Sequence, residues 1–117
     1  MANPNIVAVT SILGNTETFA LTTTLTTLVT CAASHVYKIN SIIVTNIDGT
    51  SAADVTINYN DGSNTRAIGS TISVPADAAL NLIDKNSSFY LMENDIISGL
   101  ASANSDLVCL ISYEDIS

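Results

Sequence analysis

Apolar and polar positions alternate along most of this chain with the period of two that marks a strand half-buried on a sheet. The clearest case is 54–60, where Val55, Ile57 and Tyr59 fall on one face and Asp54, Thr56, Asn58 and Asn60 on the other. Further strands are expected at 6–12, 17–22, 26–32, 36–46, 66–74 and 79–84. The segment 36–46 is the strongest of the early ones. Ile42 and Val44 share a face there, while Ile39, Ile43 and Thr45 break the alternation, which predicts burial on both sides near its middle. Turn chemistry separates these segments: Gly14-Asn15, Asp48-Gly49, Asp61-Gly62-Ser63-Asn64, Pro75-Ala76-Asp77 and Asp84 to Ser88. Gly69 interrupts the strand at 66–74 and is expected to mark a bulge.

The last quarter of the chain organises the rest. After the turn Glu93-Asn94-Asp95, strands are expected at 96–103 and 107–113, joined as a hairpin by Asn104-Ser105-Asp106. Leu107, Cys109, Ile111 and Tyr113 point one way, and Val108 and Leu110 the other. A strand apolar on both faces does not sit at an exposed edge. It is central in a two-layer structure or pressed against another subunit. Val108, Leu110 and Tyr113 are therefore the candidate subunit interface.

About eight short strands with turn signals every 8–12 residues and no helical periodicity predict an all-β protein. The expected architecture is an antiparallel β-sandwich, jelly-roll or immunoglobulin-like. The 117 residues suit a single domain spanning 1–117. Pro4 sets residues 1–5 ahead of the fold as an arm that either reaches a neighbouring molecule or frays.

Charge narrows the partners. Charged residues make up only 12% of the chain, and the net charge is −8 with three cations, Lys38, Arg66 and Lys85. Nucleic acid and anionic membrane surfaces both require a basic patch that three scattered cations do not make. A charge-poor surface favours packing against like subunits, because fewer ions need desolvating. No apolar run approaches the length of a membrane helix, and the first residues lack the basic and apolar segments of a secretory signal.

Candidate chemistry is sparse. Cys31 and Cys109 lie in apolar strand contexts and are expected to be free buried thiols, with a disulfide as the alternative if their strands adjoin. Asn58, Asn60, Asp61 and Asn64 form an oxygen-rich group that fits a hairpin turn better than a calcium loop, since the spacing and the bidentate Glu are missing. His35 is the sole histidine, and no nucleophile-elbow pattern accompanies it. Glu93 and Asp95 sit in one tight turn, where their side chains point apart into solvent. The Thr-rich run at 16–30 offers a hydroxyl face for sugar or protein, or an ordinary solvated strand face. Tyr59 and Tyr90, with the Asn- and Thr-rich faces, are the candidates for a sugar-binding platform. No catalytic residue, cofactor or metal site is expected.

From Tyr37 onward an ordered set of short motifs is distinctive. It comprises Tyr37-Lys38-Ile39-Asn40-Ser41-Ile42, Val44-Thr45-Asn46, Ser73-Val74-Pro75-Ala76, Leu82-Ile83-Asp84-Lys85, Tyr90-Leu91-Met92-Glu93, Leu100-Ala101-Ser102-Ala103 and Ser112-Tyr113-Glu114-Asp115-Ile116. In this set, which is spread over about two thirds of the chain, the protein resembles small virion structural proteins of tailed bacteriophages, especially those of marine and freshwater bacteria. Asn94 stands where related chains often carry Gly, and Asn also tolerates the left-handed conformation. The resemblance implies a non-enzymatic part of a phage particle, made in the host bacterial cytoplasm. It looks most like a capsid decoration, or cement, protein on the capsid surface, partnered by the major capsid protein and by itself as a homotrimer. A collar, neck, tail or fibre component, or a carbohydrate-binding receptor module, is the alternative.

Overall fold

A computed structural model describes residues 8–117. The arm at 1–5 and the first residues of the strand expected at 6–12 lie outside the described residues. Among the described residues the strands are β1 (Ile12–Ala20), β2 (Thr26–Thr30), β3 (Val36–Asn46), β4 (Ala53–Asn60), β5 (Thr65–Val74), β6 (Ala79–Ile83), β7 (Phe89–Leu91), β8 (Ile96–Ala101) and β9 (Leu107–Ile116). They form two antiparallel sheets. The first has the order β1-β9-β3-β6, with β7 on the same side of β3 as β6, and the second has the order β2-β8-β4-β5. No helix is present among the described residues that is long and apolar enough to cross a membrane.

The sheets face each other as a β-sandwich with one continuous core. Its centre is Ile39, Ile42 and Val44 from β3, Cys109 and Ile111 from β9, Ile57 from β4 and Ile97 from β8, each fully buried. β9 lies between β1 and β3 and pairs with each along most of its length, so it is central as expected. The broken alternation in β3 has a local cause. The register against β9 runs from Ile39–Tyr113 to Ser41–Ser112, so Asn40 is an extra residue. A bulge resets which side chains face inward. After it, Ile42 and Val44 point to the core, and Ile43 and Thr45 lie half-buried on the outer face.

Several expectations need correction. Over its described residues the strand expected at 6–12, together with the turn at Gly14-Asn15, gives way to β1, which starts at Ile12 and continues through both turn residues. Gly14 pairs with Glu114 and Asn15 with Tyr113, so ladder bonding to β9 overrides the local turn preference. The expected hairpin of 96–103 and 107–113 does not form, because β8 belongs to one sheet and β9 to the other. Residues 102–106 instead cross between the sheets, a gap of roughly 10 Å that five residues span easily. Asn104 ties this crossing down by accepting the Thr23 N–H at 3.0 Å, and Ser105 takes φ 67°. The inward residues of β8 and β9 thus face each other across the core rather than lying side by side.

Other elements match more closely. Gly69 has bulges on both sides, as its register with Ile57 shows. A Cβ there would lie 2.8 Å from the tips of Ile72 and Leu82. Asn94 holds φ 67°, the left-handed conformation anticipated for it. β7 has no counterpart in the sequence expectations, since three residues are too short to show a period.

Candidate interaction surface

The outer face of the first sheet can be built row by row from its register. One row is Ala20, Val108, Thr45 and Ala79; the next is Thr18, Leu110, Ile43 and Asn81; the third is Thr16, Ser112 and Ser41. No member of these rows carries a charge. Val108, Leu110, Ile43 and Thr45 are half-buried at the centre, with small and polar residues around them, exposed except for the half-buried Ser41 and Ser112. Thr16 and Ser112 link their hydroxyls across the strands at 3.4 Å. Charge returns only at the ends. Glu114 lies between Gly14 and Lys38 at one end. Asp106, whose carbonyl accepts the Ile47 N–H, sits with Asp48 and Asp77 at the other. The usual solvated face of an antiparallel sheet is polar and charged. An uncharged face with three aliphatic side chains at its middle suits contact with another protein, because little hydration is lost on covering it.

Two of the three residues expected at an interface sit on this face, namely Val108 and Leu110. Tyr113 does not. It lies on the inward face at 8% exposure, stacked on Tyr37 with ring centroids 4.8 Å apart. Its hydroxyl donates to Glu17 Oε2 at 2.8 Å. Burial, followed by that hydrogen bond to a carboxylate, pushes the Tyr113 phenol well above its ordinary range. Odd parity in β9 put Tyr113 with Leu107, Cys109 and Ile111, and that signal was present in the sequence. Ile43 was not anticipated as a neighbour of Leu110, because the bulge at Asn40 hid its parity.

The polar candidates are engaged in holding turns. Glu93 Oε2 accepts the Ser34 N–H at 2.7 Å, and Asp95 accepts the Tyr59 hydroxyl at 2.5 Å. The two carboxylates therefore serve different elements. Tyr59 is half-buried, also accepts the Met92 N–H, and its phenol is pushed up to about 12 by burial and then by the bond to Asp95. That hydroxyl is committed to the protein itself; Tyr90, at 44% exposure, remains outside. His35 Nδ1 lies 2.6 Å from Asp115 Oδ1 and connects the loop before β3 to the end of β9.

Asp61 Oδ1 accepts the N–H groups of Ser63 and Asn64, and Asn60 Oδ1 that of Gly62, so this oxygen-rich group closes the β4–β5 hairpin. Those backbone donors hold the Asp61 carboxyl below its ordinary value. Among the described residues no three His, Cys, Asp or Glu side chains cluster to hold a metal. Cys31 and Cys109 are free and buried. Burial pushes their thiols up to about 11 and about 12 respectively.

No protein-family model matches the chain, and neither does any curated protein. Solved structures do. The chain is similar to one in the acidic stable capsid structure of Helicobacter pylori bacteriophage KHP30, with a TM-score of 0.56 and 8% identity over 94% of this chain and 90% of that one. It is also similar to a chain of the Bacillus endospore appendages, which form disulfide-linked pili, with a TM-score of 0.55 and 17% identity over 98% and 97% of the two chains. At such identities the likeness is one of fold.

Proposed function

We propose that the chain is a non-enzymatic structural protein of a tailed-bacteriophage particle, and within it a capsid decoration protein that stabilises the major capsid lattice. The observation that carries this reading is the uncharged outer face centred on Val108, Leu110 and Ile43 in a chain that is otherwise strongly acidic. The motif resemblance from Tyr37 to Ile116 supports it, as does the shared fold with a chain of a phage capsid structure. We read the strand order as a jelly roll. With β6 and β7 counted as one interrupted strand, β1-β9-β3-β6 faces β2-β8-β4-β5, and every connection except the β4–β5 hairpin wraps from sheet to sheet. In this reading the protein is made in the host cytoplasm and sits on the capsid surface, its partners being the major capsid protein and further copies of itself. Collar, neck or tail placement is the second reading, favoured by the likeness to a filament-forming chain.

The test is rebinding to particles stripped of this chain. Wild-type protein is expected to saturate them in proportion to the capsid lattice. Leu110→Asp places a carboxylate that must be desolvated on contact, which costs several kcal/mol in the bound state only. A folded Leu110→Asp protein that rebinds like wild type would overturn the assignment of this face.

A further inference from the structure

The free edges of the two sheets differ in protection. An open edge presents unpaired N–H and C=O groups and recruits another strand unless shortness, bulges or charge blunt it. β2 has five residues, and its register slips between Thr27 and Val29. β5 carries two register shifts, and Thr71 there takes φ 51°. The far side of β3 is shared by the short strands β6 and β7. β1 has none of these devices. It is nine residues long and keeps one register against β9 throughout. Every residue except Phe19 is exposed, with Ile12 at 58% and Leu13 at 59%. Glu17 is its one charge, and that carboxylate accepts the Tyr113 hydroxyl. Among the described residues no strand lies on its free side.

Parity says which groups face that side. Ser11 and Ser117 exchange two backbone hydrogen bonds, and the Leu21 N–H donates to the Leu107 carbonyl. Odd-numbered residues therefore bond toward β9. In an unshifted ladder, the N–H and C=O groups of Ile12, Gly14, Thr16, Thr18 and Ala20 then point to the open side.

We propose that a second copy of this chain pairs there, β1 antiparallel to β1 about a twofold axis at Thr16. Only registers that bring even residues opposite even residues let these groups bond, and the one centred on Thr16 uses the whole strand. It sets Ile12 opposite Ala20, Gly14 opposite Thr18 and Thr16 opposite its own copy. On the other face Leu13 meets Phe19, and Asn15 meets Glu17. The exposed Leu13 gains an aromatic neighbour, and the acid faces an amide donor rather than a like charge. In a chain of net charge −8 the absence of opposed acids at this seam spares the pair a local repulsion. The pairing is isologous and closes at two. It joins two first sheets into one, so that their uncharged outer faces become a continuous surface. It goes beyond the capsid assignment and does not depend on it. The homotrimer implied by the resemblance needs a threefold contact instead, so stoichiometry separates the two.

Sedimentation equilibrium of the full chain over a concentration series tests the pairing, with Thr16→Lys and Thr16→Pro beside the wild type. Thr16→Lys sets two ammonium groups directly opposite each other while reducing the overall negative charge, so any weakening is local. Thr16→Pro removes an N–H that points to the open side and spares the ladder to β9. Wild type is expected to be a dimer. Both variants are expected to weaken it by roughly tenfold or more with unchanged circular dichroism; Thr16→Lys alone decides if the proline variant misfolds. A monomeric or trimeric wild type overturns the proposal, as does a dimer that survives Thr16→Lys. Leu110→Asp should leave the dimer intact; if it dissolves the dimer, the self-contact lies on the outer face and the proposal falls.

Discussion

Neighbouring residues of β9 should respond to the same substitution very differently. Ile111 is fully buried and pairs with Ile42, itself fully buried, whereas Leu110 is half-buried on the outer face opposite Ile43. Ile111→Ala removes three carbons from the centre of the core. At about 0.8 kcal/mol per buried methylene the transfer loss is about 2.4 kcal/mol. A residual cavity adds to it, which gives about 3 kcal/mol within the usual range for such truncations. Leu110→Ala leaves no cavity and should cost under about 1 kcal/mol. Equilibrium unfolding in guanidinium, followed by circular dichroism, measures both. With a slope of about 4 kcal/mol per molar for a domain of this size, the midpoint should fall by about 0.8 M for Ile111→Ala and under about 0.3 M for Leu110→Ala. Comparable shifts for the two variants would refute the division of β9 into an inner and an outer face.

Two glycines should diverge. A Cβ on Gly99 would lie 2.8 Å from Ile57 Cδ1 and 3.1 Å from Leu28 Cδ1, so Gly99→Ala should destabilise by about 1–2 kcal/mol in a thermal melt. Gly14 has nothing within 4 Å, and Gly14→Ala should stabilise by a few tenths to about 1 kcal/mol; matching signs for the pair would contradict the packing described. Tyr59→Phe removes the donor to the buried Asp95 and the acceptor for Met92 N–H, and should cost about 2 kcal/mol, whereas a neutral outcome would show that this bond holds nothing. Alkaline stability has a defined sign. The folded thiols of Cys31 and Cys109 and the phenol of Tyr59 hold their protons to about 11, about 12 and about 12, against ordinary values of 9.0, 9.0 and 10.0. The unfolded chain loses those protons first, so stability should be level from neutral pH to pH 9 and fall from there through pH 12, and a level profile from pH 9 to pH 12 would contradict the burial of these groups.

The sandwich was legible because binary patterning is local. Val55, Ile57 and Tyr59 announced their inward face, and 36–46 matched β3 to the residue. What stayed hidden was pairing. Nothing local distinguishes a hairpin at Asn104-Ser105-Asp106 from a crossing between sheets, since the same turn residues serve both. Gly14-Asn15 read as a stop because the ladder that overrides it comes from β9, far along the chain. Of the candidate surface, Val108 and Leu110 were visible as a second apolar face. The bulge at Asn40 masks Ile43, and Tyr113 shares their apolar character while its parity places it inside.

In the proposed function, the uncharged outer face of the first sheet is the surface that meets the capsid. A reconstruction of the particle proposed to carry this chain tests it most directly. Density for the sandwich is expected on the shell, with Val108, Leu110 and Ile43 turned toward the major capsid protein. Density confined to the tail, or a sandwich seated on the shell through the sheet β2-β8-β4-β5, would contradict it.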